Sequence, residues 1–344
     1  MEKKINLKDL TLKEMEVFFE NIGEKKFRAK QVFGWLYKGV NSFEEMSNIS
    51  KDLRAKLEEK TTVGSLKILT VQESAVDGTK KYLFGLEDGN SIESVFMKYK
   101  HGNSICISSQ AGCRMGCKFC ASTLRGLERN LSAGEIIGQI VEVERHTGEK
   151  ISNVVVMGTG EPFDNYDNLS KFLNLANSKD GLNLGMRSFT VSTCGIVPKI
   201  KQFAEDFPQV NLAISLHAPN DEIRNLNMPI NKSYPIDVLL EACREYTKSG
   251  NRRITFEYAL VAGLNDREKD AVELAKRLKG MLCHVNLITL NSVDESGMKG
   301  SSRQHAQNFK ALLEKQGIPT TVRRELGSDI DAACGQLRLK NYEN

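Results

Sequence analysis

The sequence lacks the features of membrane-bound, secreted and strongly charged proteins. No stretch of its 344 residues approaches the ~20 apolar residues that a membrane helix needs. The first eight residues, Met-Glu-Lys-Lys-Ile-Asn-Leu-Lys, do not contain the apolar region of a signal peptide. The net charge is only +4, so any binding of nucleic acid must depend on local clusters of charge. We therefore expect a cytoplasmic protein without membrane contacts.

Eight cysteines stand out against this ordinary composition, and three of them form the run Cys113-Arg-Met-Gly-Cys117-Lys-Phe-Cys120. Thiolates separated by three and then two residues suit three irons of a 4Fe–4S cube, leaving the fourth iron open to a small molecule. Zinc is an alternative, but it would need a fourth Cys or His nearby, and His101 and His146 fit poorly. A disulfide framework does not suit a chain of this size without a secretory leader.

The spacing of apolar residues changes twice along the chain. Residues 8–60 show the three- and four-residue spacing of helices, and residues 66–109 show the alternation of strands joined by turns at Asp77-Gly78 and Asp88-Gly89. Beyond the cysteine run, apolar strands alternate with amphipathic helices, which predicts a parallel sheet with right-handed crossovers. The predicted strands are Val154–Met157, Phe189–Ser192, Leu212–Leu216, Ile254–Leu260 and His284–Ile288.

Polar residues follow the ends of these strands, where parallel sheets gather ligands. The first such segment is Gly158-Thr-Gly160-Glu161-Pro162. A phosphate loop is disfavoured because Glu161 would repel phosphate and Pro162 has no N–H group to donate. A carboxylate with exposed backbone suits the ammonium group of an amino acid better. Later strands end at Ser192, at Ser215-Leu216-His217 and near Asn291, which predicts a ligand pocket.

Several motifs carry a resemblance to the RlmN/Cfr family of radical S-adenosylmethionine (SAM) RNA methyltransferases. Besides the cysteine run and the Gly-Glu-Pro segment, they are 108–113 (Ser-Ser-Gln-Ala-Gly-Cys), 129–131 (Arg-Asn-Leu), 215–220 (Ser-Leu-His-Ala-Pro-Asn), 228–231 (Met-Pro-Ile-Asn) and 329–337 (Asp-Ile-Asp-Ala-Ala-Cys-Gly-Gln-Leu). The resemblance implies an α/β fold with an incomplete (β/α) barrel over 99–325. Around it we expect a helical RNA-binding domain (1–62), a β-hairpin connector (63–98) and a C-terminal loop and tail (326–344).

The resemblance also implies an activity, the methylation of C2 of adenosine in 23S rRNA and in tRNA next to the anticodon. It implies two SAM molecules per turnover and one 4Fe–4S cluster held by Cys113, Cys117 and Cys120. The residues expected to bind SAM are Gly160, Glu161, Ser192, Ser215, Leu216, His217 and Asn291.

Three further residues receive catalytic roles from the resemblance. Cys334 would carry the methyl group as S-methylcysteine, Glu93 would accept a proton, and Cys106 would release the product by a transient disulfide with Cys334. From spacing alone, Cys106 is a buried strand cysteine. An external, flavodoxin-like electron donor and a monomeric enzyme are expected. The alternatives are methylation at C8, as in the Cfr branch, and a radical SAM activase that acts on a protein.

The sequence also gives less specific predictions for one segment, for several basic residues and for the remaining cysteines. The segment 121–126 (Ala-Ser-Thr-Leu-Arg-Gly) is closer to the RlmN branch than to the Ala-Thr-Gly-Asp of Cfr. Basic residues near the predicted site, Arg129 and Arg323 or Arg324, are candidates for contacts with RNA phosphates. The three cysteines that match no catalytic position are expected in the core, since they lie in apolar segments: Cys194, Cys243 and Cys283.

Overall fold

The computed structural model describes residues 4–250, 252–289, 298–330 and 332 of the chain. Two residues with predicted roles, Asn291 and Cys334, lie outside this part. Within the described residues, no helix is both long and apolar enough to cross a membrane.

The N-terminal region is helical, which confirms the prediction from apolar spacing. Its elements are β1 (Ile5–Asn6), α1 (Leu12–Asn21), α2 (Lys26–Leu36), α3 (Lys51–Lys60) and β2 (Thr61–Thr62). Thr11 begins α1 with a capping box, in which its hydroxyl accepts from Glu14 N and the Glu14 carboxylate accepts from Thr11 N. The parallel pairing of β1 with β2 joins the two ends of this region.

Ten strands form one open sheet. In chain order they are β3 (Lys67–Glu73), β4 (Lys80–Gly85), β5 (Ser91–Tyr99), β6 (Gly102–Ile107), β9 (Ile151–Val156), β10 (Phe189–Thr193), β11 (Asn211–Ser215), β12 (Ile254–Leu260), β13 (Cys283–Thr289) and β14 (Thr320–Val322). Strands β3 to β6 pair antiparallel, whereas β6 and β9 to β14 pair parallel. The hairpins therefore extend the parallel sheet by backbone hydrogen bonds. The predicted domain boundaries stay predictions, although β5 runs across the one at residue 98.

Helices connect the parallel strands, and this alternation confirms the predicted α/β class. They are α4 (Ala133–Thr147), α5 (Tyr166–Asn177), α6 (Val197–Asp206), α7 (Asp221–Asn227), α8 (Ile236–Gly250), α9 (Glu268–Leu278) and α10 (Arg303–Lys315). A separate antiparallel pair, β7 (Gln110–Gly112) with β8 (Leu127–Asn130), flanks the cysteine run. The sequence did not predict this pair because both strands are short and join residues on either side of a loop.

Polar contacts with α4 fix the helical region on the sheet. Asp9 Oδ1 accepts a hydrogen bond from Gly134 N at 2.6 Å, where the first turn of α4 has unpaired N–H groups. Lys8 is completely buried, its Nζ lies 3.9 Å from Glu142 Oε1, and burial lowers its pKa to about 8. Removing one member of such a pair leaves an uncompensated buried charge. The helical region is thus held in one position by specific contacts.

Candidate active site

The cysteine run forms a loop between β7 and β8, at the C-terminal ends of the parallel strands. Cys113, Cys117 and Cys120 line one cavity, here called the thiol cavity, together with Glu161, Ser192 and His217. The two ends of the loop are joined, because Cys113 N donates to Gly126 O at 2.7 Å, and its middle is held by Lys118 N, which donates to Asn227 O at 3.0 Å. The structure therefore brings together the three predicted cluster ligands.

The donor set of the thiol cavity fits an iron–sulfur cluster. Burial raises the pKa of Cys113 to about 12 and raises that of Cys117 further, and the neighbouring thiols add to both shifts. Three adjacent thiolates are thus unfavourable unless bound metal neutralises them. Within the described residues, no three Cys, His, Asp or Glu side chains are arranged around a single metal ion. A cube, by contrast, takes one thiolate at each of three irons.

Glu161 lies in the wall of the thiol cavity with its carboxylate fixed. Its Oε2 accepts from Cys194 N at 2.7 Å and its Oε1 accepts from Phe163 N at 3.0 Å. Burial raises the pKa of Glu161, while these N–H donors act in the opposite direction. A carboxylate held in this way is suited to receive a cationic group from the cavity.

Gly160 brings the backbone close to β7. It has φ +109°, and an added Cβ would lie 2.7 Å from Gln110 Cβ and from Ser109 Oγ. A side chain would therefore clash with the strand beside it, and the positive φ also favours glycine. The tight packing keeps the adjacent Glu161 at the cavity wall.

The next two strands contribute hydroxyl groups and an imidazole. The Ser192 and Ser215 hydroxyl oxygens lie 3.5 Å apart, at the ends of β10 and β11. His217 Nδ1 accepts from Ala259 N at 2.9 Å, and burial lowers the pKa of His217 to about 3. The ring is therefore neutral with its proton on Nε2, available to donate. Leu216 packs into the hydrophobic core, and its N donates to Glu257 O at 3.1 Å.

Sequence reasoning missed two residues of the cavity wall. Glu257 is buried, and its Oε2 accepts a hydrogen bond from Asn286 Nδ2 at 2.9 Å. Burial raises the pKa of Glu257, and the positive charge of nearby Arg323 opposes this rise. A single acidic residue within the apolar strand β12 was the available signal. Cys194 is buried as predicted but also lines the thiol cavity. The other two cysteines that were predicted to lie in the core, Cys243 and Cys283, do lie in the main hydrophobic core, which confirms that prediction.

Glu93 and Cys106 lie on the neighbouring strands β5 and β6. Glu93 on β5 is 4% exposed, and its Oε1 lies 3.7 Å from Lys81 Nζ. Cys106 on β6 is a buried cysteine opposite Val95, as strand alternation predicted. Met157 packs against the small apolar cluster of Val95, Met97 and Cys106 and also lines the thiol cavity, so this cluster adjoins the cavity.

The segment that precedes Cys334 is anchored near Cys106. Asp329 accepts hydrogen bonds from Ser74 Oγ at 2.7 Å and from Ala75 N at 3.0 Å, in the turn between β3 and β4. Leu326 and Ala332 pack against the small apolar cluster that contains Cys106. Cys334 itself lies outside the described residues, so its predicted disulfide with Cys106 stays a prediction.

Arg129 is a weaker candidate for an RNA contact than its sequence position indicated. Its guanidinium binds the carboxylates of both Asp88 and Glu135, and these contacts raise its pKa. Two carboxylates already neutralise its charge, so little remains for a phosphate. Arg323, by contrast, lines the thiol cavity.

Comparison with known proteins agrees with this geometry. Residues 107–275, which hold the cysteine loop and most of the parallel strands, match the family model of the radical SAM superfamily. Residues 5–63 match the model described as the ribosomal RNA large subunit methyltransferase N-terminal domain. The class of protein that fold and site define is thus a radical SAM enzyme, with a 4Fe–4S cluster and SAM as its cofactors.

Relatives that match over the whole chain narrow the class further. Two relatives are named "Probable dual-specificity RNA methyltransferase RlmN". The one from Alkaliphilus oremlandii is 57% identical to this chain, over 99% of this chain and 100% of that protein. The one from Clostridium tetani is 55% identical, over 99% of this chain and 97% of that protein. The crystal structure of a radical SAM methyltransferase from Sphaerobacter thermophilus is 43% identical with a TM-score of 0.94, covering 97% of this chain and 99% of that one. The chain belongs to the RlmN family, which confirms the resemblance inferred from the motifs.

Proposed function

We propose that the protein methylates C2 of adenosine in 23S rRNA and in tRNA next to the anticodon, with two SAM molecules consumed per turnover. The observation that carries the proposal is that Glu93 and Cys106 are buried on neighbouring strands, with Cys106 in an apolar cluster that packs against Met157 of the thiol cavity. A radical SAM activase would have no use for this second thiol and carboxylate. The names of the relatives in the RlmN family support the same reaction class.

The residues of the thiol cavity would bind SAM beside the cluster. Glu161 would receive the ammonium group of SAM, since its carboxylate is fixed by two backbone N–H groups. Ser192, Ser215 and neutral His217 offer hydrogen bonds to the remaining polar groups of SAM, as Asn291 would from outside the described residues. When bound, the cluster supplies the electron that generates a 5′-deoxyadenosyl radical from SAM. Cys113, Cys117 and Cys120 would hold the cluster.

The second site would carry the methyl group and release the product. We propose that Cys334 takes a methyl group from one SAM by nucleophilic substitution. The 5′-deoxyadenosyl radical would take a hydrogen atom from the S-methyl group, which gives 5′-deoxyadenosine and a methylene radical that adds to C2. Glu93, whose Oε1 lies 3.7 Å from Lys81 Nζ, would then take the C2 proton. Cys106 would form a disulfide with Cys334 as the bond between sulfur and the new carbon breaks; the new methyl group would take up a proton, and the one surplus electron would pass to the oxidised cluster.

The surface of α2 is suited to RNA. Phe27 is 53% exposed, and the Arg28 guanidinium lies 4.8 Å from its ring centroid. Exposed Lys25, Lys26 and Lys38 lie on the same helix or at its ends, and together these five residues are called the α2 face. Stacking on an aromatic ring combined with phosphate contacts is typical of proteins that bind single-stranded nucleic acid. We propose that the α2 face binds the RNA substrate.

We also propose a cytoplasmic monomer that receives electrons from a flavodoxin-like donor. No disulfide joins two of the described cysteines, which suits a reducing compartment. A reductant is required because the protein's own residues cannot supply an electron to the cluster.

The decisive experiment is to treat ribosomal RNA and tRNA with the reconstituted protein, SAM and a reductant, and to digest the RNA to nucleosides. We expect 2-methyladenosine from both. A site that places a methylene ~3–3.5 Å from C2 cannot reach C8 unless the base turns over. A dominant 8-methyladenosine product would favour the Cfr-like reaction, whereas SAM cleavage without any methylated RNA would favour an activase.

A further inference from the structure

Arg224 on α7 is completely buried beside the thiol cavity. Its Nη2 donates to Cys194 O at 2.7 Å and to Ser215 O at 3.3 Å, and its Nε donates to Leu216 O at 3.2 Å. These carbonyl groups lie at or just beyond the ends of β10 and β11, from which the cavity is built. The guanidinium is therefore part of the structure that surrounds the proposed cluster site.

The charge of Arg224 has no carboxylate partner among the residues that the structure describes. Its Nη1 donates to the amide oxygen of Asn231 at 2.9 Å, and Asp221 accepts from Asn231 Nδ2 at 2.8 Å. An amide thus separates the guanidinium from this acidic group. A guanidinium stays protonated in proteins, and a buried charge without a counter-ion is costly. The position therefore calls for an anion nearby.

The groups that act electrostatically on Arg224 are Asp221 and three thiols, of which Cys117 and Cys194 line the thiol cavity and Cys243 does not. The guanidinium lies directly behind the cavity wall, because its Nη2 donates to the backbone oxygen of Cys194 at 2.7 Å. The hydrogen bond from Lys118 N to Asn227 O, at 3.0 Å, ties the loop of Cys117 to the same helix as Arg224. A fixed cation thus lies close to one of the proposed cluster ligands.

We propose that Arg224 is a positioning residue that raises the reduction potential of the cluster held by Cys113, Cys117 and Cys120. A cube bound by thiolates gains negative charge when it accepts an electron, and a fixed positive charge in a low-dielectric wall favours that reduced state. The inference rests on the proposed function, because it requires a cluster at these three thiols.

The test is the midpoint potential of the reconstituted cluster, measured without SAM by anaerobic titration with dithionite and electron paramagnetic resonance. Arg224→Gln removes the charge, and we expect reduction to become at least tenfold less favourable, a fall of about 59 mV for one electron. Arg224→Lys keeps the charge and should remain closer to the wild-type potential.

A second variant neutralises Arg224 without removing it, in case Arg224→Gln does not fold. Asn231→Asp combined with Asp221→Asn exchanges the amide and the carboxylate, so that a carboxylate directly contacts the Arg224 guanidinium. Asp221→Asn alone is the control. We expect the double variant, but not the control, to lower the potential. A wild-type potential in the double variant, or its failure to take up a cluster, would overturn the proposal. A wild-type protein that takes up no cluster would instead overturn the proposed function.

Discussion

The thiol cavity and the α2 face hold polar residues in two different ways. In the cavity, Glu161 and His217 are buried, and each has backbone partners that fix its position. On the α2 face, Phe27 is half exposed, and Lys26 makes one exposed ion pair at 3.3 Å with Glu20. Bond-breaking chemistry depends on fixed geometry, whereas RNA binding depends on summed charge and adaptable contacts. Single changes in the cavity should therefore act in an all-or-none manner, and changes on the face should be graded.

The largest effect should come from the cysteine loop. Replacing Cys113, Cys117 or Cys120 with alanine should abolish both the brown chromophore near 400 nm and all SAM cleavage, because the cube loses a ligand. Iron content and released 5′-deoxyadenosine are the measurements. Cys283→Ala is the control, since this cysteine is buried in the core and should leave both unchanged. Full iron content with continued cleavage in a loop variant would contradict the assignment.

The second site should also respond in an all-or-none manner, but at a later step. Cys106→Ala and Glu93→Ala should both permit attachment of RNA to Cys334 and then block its release. A covalent protein–RNA species should accumulate and survive denaturing electrophoresis. Cys243→Ala, a core variant, should show normal turnover. If Cys106→Ala also turned over normally, its role as resolving thiol would be excluded.

The fixed position of His217 should make the stability of the protein depend on pH. Its pKa is about 3 when folded, against 6.5 for an ordinary histidine. The unfolded state therefore binds a proton that the folded state rejects. The free energy of unfolding should fall by about 1.4 kcal/mol per pH unit as pH drops from 6.5 towards 3.

Denaturant unfolding of the protein without cofactors at pH 7, 6 and 5 tests this prediction. His217→Asn should remove this contribution to the dependence of the free energy of unfolding on pH. His101→Asn, in the exposed turn between β5 and β6, should leave that dependence unchanged. Equal slopes in His217→Asn and wild type would show that the imidazole is not held neutral.

The smallest effect should come from the α2 face. Lys25→Gln should weaken RNA binding about threefold to tenfold and reduce the dependence of log affinity on log salt by about one. Filter binding at several salt concentrations measures both quantities, with Lys269→Gln on α9 as the control. Complete loss of RNA binding from this one change would contradict the expectation that effects on the α2 face are graded, since a single lysine would then be essential for binding.

Much of the candidate site was predictable from residue types and their positions. The Gly158–Pro162 segment, Ser192 and Ser215 follow apolar strands, and parallel strands bring such ends to one edge of a sheet. The cluster ligands could be predicted equally well, because the spacing of the three cysteines is a local property of the sequence. The roles of Glu93 and Cys106, however, came from family resemblance, since neither residue has a local signature.

By itself, the sequence determined the alternation of strands and helices, the three clustered thiols and the family. The tertiary structure alone showed that Glu257 and Cys194 line the thiol cavity and that carboxylates neutralise Arg129. It also showed that Arg224 is buried beside this cavity with no carboxylate bound to its guanidinium among the described residues. The physical reason is that periodicity and spacing arise from neighbouring residues, whereas burial and charge compensation arise between residues far apart in the chain. Those long-range contacts exist only once the sheet has formed.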